Sequence, residues 1–107
     1  MENHQTNLWK TYLDKHKDRM LAELTDILKI PSVSADPAYA DQVFSMAKDL
    51  ENRLNEVGLE EVRGYETSGF PMVYGQKIID PSLPTVLVYG HYDVQPADPL
   101  ELWTSPP

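Results

Sequence analysis

The chain has 107 residues, 41% of them hydrophobic, with 17 Asp and Glu against 9 Lys and Arg and no cysteine. A length of this order is one small domain or part of a larger one, and the hydrophobic share excludes disorder as the default. The net charge of -8 argues against a nucleic-acid or anionic-membrane surface, which needs basic residues, and the lack of cysteine removes disulfides and thiolate metal sites.

Residues 1–7 are polar and lack the apolar core of a secretory signal. No apolar run approaches the roughly 20 residues needed to cross a bilayer, so a soluble, cytoplasmic protein is the expectation. Leu8, Tyr12, Met20, Leu24, Ile27 and Leu28 recur at helical spacing, with Asp14, Lys15, Lys17, Asp18 and Arg19 on the polar side. Pro31 ends this helix, because proline removes a donor and disfavours helical geometry in the residue before it. A second helix is predicted to start at Asp36 as N-cap, with Pro37 at its first position. Val43, Phe44, Ala47, Leu50, Leu54 and Val57 make its buried face, and Gly58 supplies a left-handed residue at the end, with Leu59 as the apolar contact beyond.

The period then changes. Residues 61–66 and 72–79 read as two strands joined through Thr67-Ser68-Gly69-Phe70-Pro71. The prolines of Asp80-Pro81-Ser82-Leu83-Pro84 mark a turn. Thr85-Val86-Leu87-Val88-Tyr89 follows, apolar and without alternation, the pattern of a strand buried on both faces in a parallel sheet. Helix, helix, strand, strand, buried strand predicts an α/β fold with a mixed sheet.

That last segment ends at Gly90, and His91 and Asp93 come next. Ligands of open α/β sheets bind beyond the carboxyl ends of strands. In an extended backbone residues i and i+2 project from one side. His91 and Asp93 can therefore address one site, the imidazole as metal ligand and the carboxylate as its orienting neighbour. Taken singly, each has a plainer role: a lone histidine more often packs or faces solvent, and an aspartate before Pro96 can cap a turn. His4 and His16 are expected to be solvent-exposed and apart from His91. Trp9 and Trp103 read as packing residues, and Glu51, Glu56, Glu60 and Glu61 as a solvated face.

The run Gly90-His91-Tyr92-Asp93-Val94-Gln95-Pro96-Ala97, followed by Leu102-Trp103 and Ser105-Pro106-Pro107, resembles the first metal-site motif of the dinuclear zinc dipeptidases and deacylases. That family holds carnosinase, the carboxypeptidase G enzymes and succinyl-diaminopimelate desuccinylase. Ile30-Pro31-Ser32-Val33-Ser34, placed after a long amphipathic helix, is similar to the family's N-terminal region. Tyr92 and Gln95 resemble its carnosinase-like dipeptidase branch.

The resemblance implies that residues 1–107 are the N-terminal portion of a peptidase catalytic domain, cut off at the first metal-site motif. It implies His91 as a metal ligand, Asp93 as the catalytic residue that holds it, and zinc as cofactor. Two ions per site are implied for the intact parent, other divalent metals being compatible. The implied partner is a dipeptide or small peptide, with no nucleic acid and no membrane, and a homodimer of the parent is compatible with it. Such an enzyme hydrolyses a peptide bond with a metal-activated water. The family's other ligands and its Glu general base have no counterpart in this sequence, so the segment alone is expected to be inactive. The alternative is a non-catalytic binding or assembly module of the same descent.

Overall fold

The computed structural model describes residues 4–107, with side chains from residue 7 onward. In chain order the elements are α1 (His4–Leu28), a 3-10 turn (Pro37–Tyr39), α2 (Ala40–Glu56), β1 (Glu60–Tyr65), β2 (Met72–Gln76) and a second 3-10 turn (Leu100–Leu102). Two helices followed by strands is the order the sequence predicts. The strands form one antiparallel pair.

Local chemistry sets both ends of α2. Asp36 is extended at φ -115 and ψ 116, and its side chain accepts from the Ala38 N–H at 2.9 Å while Pro37 opens the turn. One 3-10 turn intervenes before the α-helix proper. At the other end Gly58 has φ 84, where an L side chain would be strained. The Gly58 N–H donates to the Asn55 carbonyl and the Leu59 N–H to the Leu54 carbonyl, both at 3.0 Å. These bonds close the last turn in the manner of a glycine C-cap.

Val43, Met46 and Ala47 on α2 are buried and join Val33 as the core. Leu50 and Leu54 are half-buried. Phe44 and Val57 depart from the predicted face. Phe44 lies one residue, hence about 100°, round the helix from Val43, and it is half exposed with its ring edge-on to Phe70 at 5.4 Å. Val57 caps the helix rather than continuing it and is exposed. Met46 takes their place, one turn on from Val43.

In the sheet, Arg63 faces Tyr74, Gly64 faces Val73 and Tyr65 faces Met72, with a register shift between Glu60 and Arg63. Glu61 sits in the shift at φ 50, the sort of left-handed residue a bulge requires. Val62, Gly64, Val73 and Gly75 are half-buried, while Arg63, Tyr65 and Tyr74 face solvent, as period-two alternation demands. β1 begins one residue earlier than predicted, and β2 stops at Gln76 rather than at 79. Glu51 lies over β1, because Gly64 has no Cβ to block it: one built there would stand 2.5 Å from the Glu51 Oε1. Glu51 is thus partly covered rather than solvated, whereas Glu56, Glu60 and Glu61 are exposed.

The strand expected at residues 85–89 does not form. Val86, Leu87, Val88 and Tyr89 are 84–91% exposed, and no ladder pairs with them, since β1 and β2 bond only to each other. A strand exists through partners for its N–H and C=O groups, and the described residues supply none here. The apolar stripe of α1 is likewise uncovered: Leu8, Tyr12, Leu24 and Leu28 are more than half exposed, and α1 makes at most marginal contact with the other elements.

Three smaller expectations also resolve. His16 is half-buried rather than exposed, its ring 4.3 Å from that of Tyr12. The His4 side chain lies outside the described residues. Trp9 and Trp103 are more than half exposed instead of packed, Trp103 donating its indole N–H to the Ala97 carbonyl at 2.7 Å. No helix among the described residues is long and apolar enough to cross a membrane.

Candidate functional site

The segment from Ser32 to Ser34 holds the His91–Asp93 pair from sixty residues away. Val33 is buried in the core at 4% exposure, which fixes the backbone of its neighbours. Ser32, fully buried, donates its hydroxyl to the Tyr92 carbonyl at 2.8 Å and accepts from the Val94 N–H at 3.0 Å. The first bond satisfies the buried hydroxyl, the second is made by the Ser32 main-chain carbonyl, and together they set residues 92–94 alongside it. Tyr92 ties the same segment to the loop before β2, donating its hydroxyl to the Pro71 carbonyl at 2.6 Å. Burial and the nearby Asp93 charge push the Tyr92 hydroxyl above its ordinary pKa.

Between these anchors Asp93 uses both carboxylate oxygens. Oδ2 accepts from the Ser34 hydroxyl at 2.5 Å, and Oδ1 lies 2.7 Å from His91 Nδ1. The Ser34 bond first, and the His91 bond second, hold the Asp93 carboxyl below its usual range. Asp93 is therefore ionised at neutral pH and can only accept, so Nδ1 carries the proton in this contact. The other nitrogen, Nε2, makes no hydrogen bond among the described residues, and the His91 side chain is 78% exposed. An imidazole so arranged, with its proton on the side of a carboxylate, turns a bare Nε2 outward, able to ligate a metal or accept a proton.

Beside the pair runs an apolar trough of about 780 Å³, bounded by Val43 and Leu54 of α2, Val73 of β2, Phe70, and residues 87–93 on the far side. No group of three or more His, Asp or Glu side chains placed to hold a metal ion occurs among the described residues. The pair turns one bare ring nitrogen outward, where a catalytic zinc ordinarily takes three protein ligands.

His91 and Asp93 are brought together as the sequence predicts, and His16 is not near them. Ser32, Ser34 and the Tyr92 hydroxyl are what sequence reasoning misses. Their sequence signal is the resemblance of residues 30–34 and of Tyr92 to the family, which gives them no role; their partners lie 60, 59 and 21 positions away.

No family model matches the chain. The Cys-Gly metallodipeptidase dug1 of Schizosaccharomyces pombe is 35% identical over 104 residues, which is 89% of this chain and 22% of that protein. The Beta-Ala-His dipeptidase of Homo sapiens is 31% identical over 108 residues, 90% of this chain and 21% of that protein. A solved structure of the dipeptidase Dug1p from Saccharomyces cerevisiae superposes with a TM-score of 0.78 at 33% identity, over 89% of this chain and 22% of that one. The chain spans about a fifth of the length of the relatives it matches. In sequence and in fold it is similar to the N-terminal part of these metallodipeptidases.

Proposed function

We propose that residues 1–107 are the N-terminal portion of the catalytic domain of a metal-dependent dipeptidase. In this reading His91 contributes one metal ligand through Nε2, and Asp93 orients it. The observation that carries the proposal is the 2.7 Å contact of His91 Nδ1 with Asp93 Oδ1, which leaves Nε2 exposed. A carboxylate behind the ligating ring is the usual company of a metal-binding histidine. The relatives named above are metallodipeptidases, and they support a dipeptide or small peptide as substrate; a soluble, cytoplasmic enzyme belongs to the same reading.

The donor set fits one ligand of such a site. Zinc, two ions per site, is the metal this reading favours. When bound, it supplies a water acidic enough to attack near neutral pH and a Lewis acid for the peptide carbonyl. The work of this chain is narrower. Asp93 keeps the proton on Nδ1, so that the lone pair stays at Nε2 and the ring angle stays fixed. The remaining ligands and the general base come from other parts of the enzyme, and this chain alone is inactive.

The test compares two variants of the full-length enzyme by metal analysis and dipeptide kinetics. His91→Ala is expected to lose metal and nearly all hydrolysis. Asp93→Asn is expected to keep most of its metal while turnover falls at least about tenfold. Full metal occupancy in His91→Ala would remove His91 as a ligand. Unchanged turnover in Asp93→Asn would remove Asp93 from the site.

A further inference from the structure

We propose that Ser34 is a positioning residue that acts through Asp93 on His91, locking the imidazole in the Nδ1–H tautomer with Nε2 bare. Its use in the enzyme rests on the ligand role proposed for His91; the relay itself rests on geometry alone.

A carboxylate held at one oxygen is poorly fixed, because the terminal torsion of an aspartate is broad and roughly two-fold. Asp93 is held at both. Oδ2 takes the Ser34 hydroxyl at 2.5 Å and Oδ1 takes His91 Nδ1 at 2.7 Å, so the plane of the carboxylate is defined by two donors from different parts of the chain. Both bonds are charge-assisted, the stronger class of hydrogen bond.

The placement of Ser34 follows from its neighbours. Val33 is in the core, and Ser32 bonds to the backbone on either side of Asp93, at Tyr92 and at Val94. Ser34 lies two residues on, where its hydroxyl meets the one side chain between those backbone contacts. The division of labour is visible in the acceptors. Ser32 already closes the two segments through main-chain atoms, and Tyr92 adds the bond to Pro71. The Ser34 bond adds nothing to that closure that the others lack. What it adds is a hold on the Asp93 carboxylate independent of His91, and hence on which ring nitrogen of His91 finds an acceptor. The tautomer of a histidine is set by the hydrogen bond its other nitrogen makes.

The experiment is nitrogen NMR of the His91 ring in this 107-residue chain, with no metal added. It is run at about pH 9, in alkaline solution that disfavours the imidazolium form. In the unaltered chain Nδ1 is expected to resonate as a protonated ring nitrogen and Nε2 as a bare one. Ser34→Ala is expected to lower the preference for Nδ1–H at least about fivefold, drawing the two shifts together. Ser34→Thr, which keeps the hydroxyl, is expected to restore the original pattern. The methyl signals of Val33 and Val43 report whether each variant keeps its core. Unaltered ring shifts in a folded Ser34→Ala overturn the proposal, and so does a folded Ser34→Thr that behaves like the alanine variant. Neither result involves metal or turnover, so failure here leaves the ligand role of His91 standing, and failure of that role leaves the relay standing.

Discussion

Residues 85–89 and 92–94 are near neighbours in the chain with opposite fates. The first segment is the more hydrophobic, yet its four largest side chains are 84–91% exposed. The second is more polar, yet its backbone and side chains bond to Ser32, Ser34 and Pro71. Hydrophobicity tells how much a segment gains from cover, not whether cover is at hand. A strand buried on both faces needs two ladder partners and two covering layers. A polar loop needs only a few donors and acceptors within hydrogen-bond reach, and here the turn after α1 provides them.

The contrast can be broken from the anchored side. Met46→Ala hollows the small core that also contains Val33, and should destabilise the fold by about 2–5 kcal/mol, read by denaturant unfolding. Ser32→Ala leaves the core intact but deletes the buried donor to the Tyr92 carbonyl. It should cost about 1–3 kcal/mol, and hydrogen exchange should show the Val94 amide opening more than those of α2. The main-chain bond from Val94 to residue 32 survives the substitution, so if that amide stays as protected as before, the Ser32 hydroxyl is not the anchor.

Two weaker tests sharpen the exposed side. The turn that leads into residues 85–89 is held by Asp80, whose carboxylate accepts from the Ser82 N–H at 2.9 Å and the Ser82 hydroxyl at 2.7 Å. These bonds, the backbone one first, lower the Asp80 pKa from 3.8. A depressed carboxyl favours the folded turn above its unfolded value. That contribution fades as pH falls through the lowered one. The Ser82 amide shift should therefore move only below about pH 4, and movement at higher pH would count against the bond. Smallest in stability is Val88→Lys, which should change the unfolding free energy by less than about 0.5 kcal/mol, as expected of an exposed site. It should nevertheless reduce self-association at high concentration, measured by sedimentation, because exposed apolar segments with unpaired backbone promote it. A large loss of stability would mean that Val88 is covered after all.

What could be read in advance was what is encoded locally. Asp36 and Pro37 open the 3-10 turn that leads into α2, and Gly58 closes α2, because each acts on backbone within a few residues of itself. His91 and Asp93 meet because a spacing of two places them on one side of the chain. The bulge at Glu61 was not readable, since a glutamate at φ 50 follows from the register of a partner strand. Residues 85–89 were misread for the converse reason: composition states a need for neighbours that only the rest of a sheet can meet. Ser32 and Ser34 stand in a stretch that resembles the family, yet their role emerges only when the chain has returned to them.

The bonds from Ser32 to Tyr92 and Val94 also have a topological consequence. They join the two ends of a stretch about sixty residues long, so that α2, β1 and β2 lie within a non-covalent ring while α1 hangs outside it. The His91–Asp93 pair is fastened at the closure of this ring, downstream of residues 85–89. Its geometry is thereby uncoupled from the segment that precedes it. In the order of assembly, this half of the site can take shape before residues 85–89 are drawn into any sheet, and a later partner would meet a preformed pair rather than have to create one.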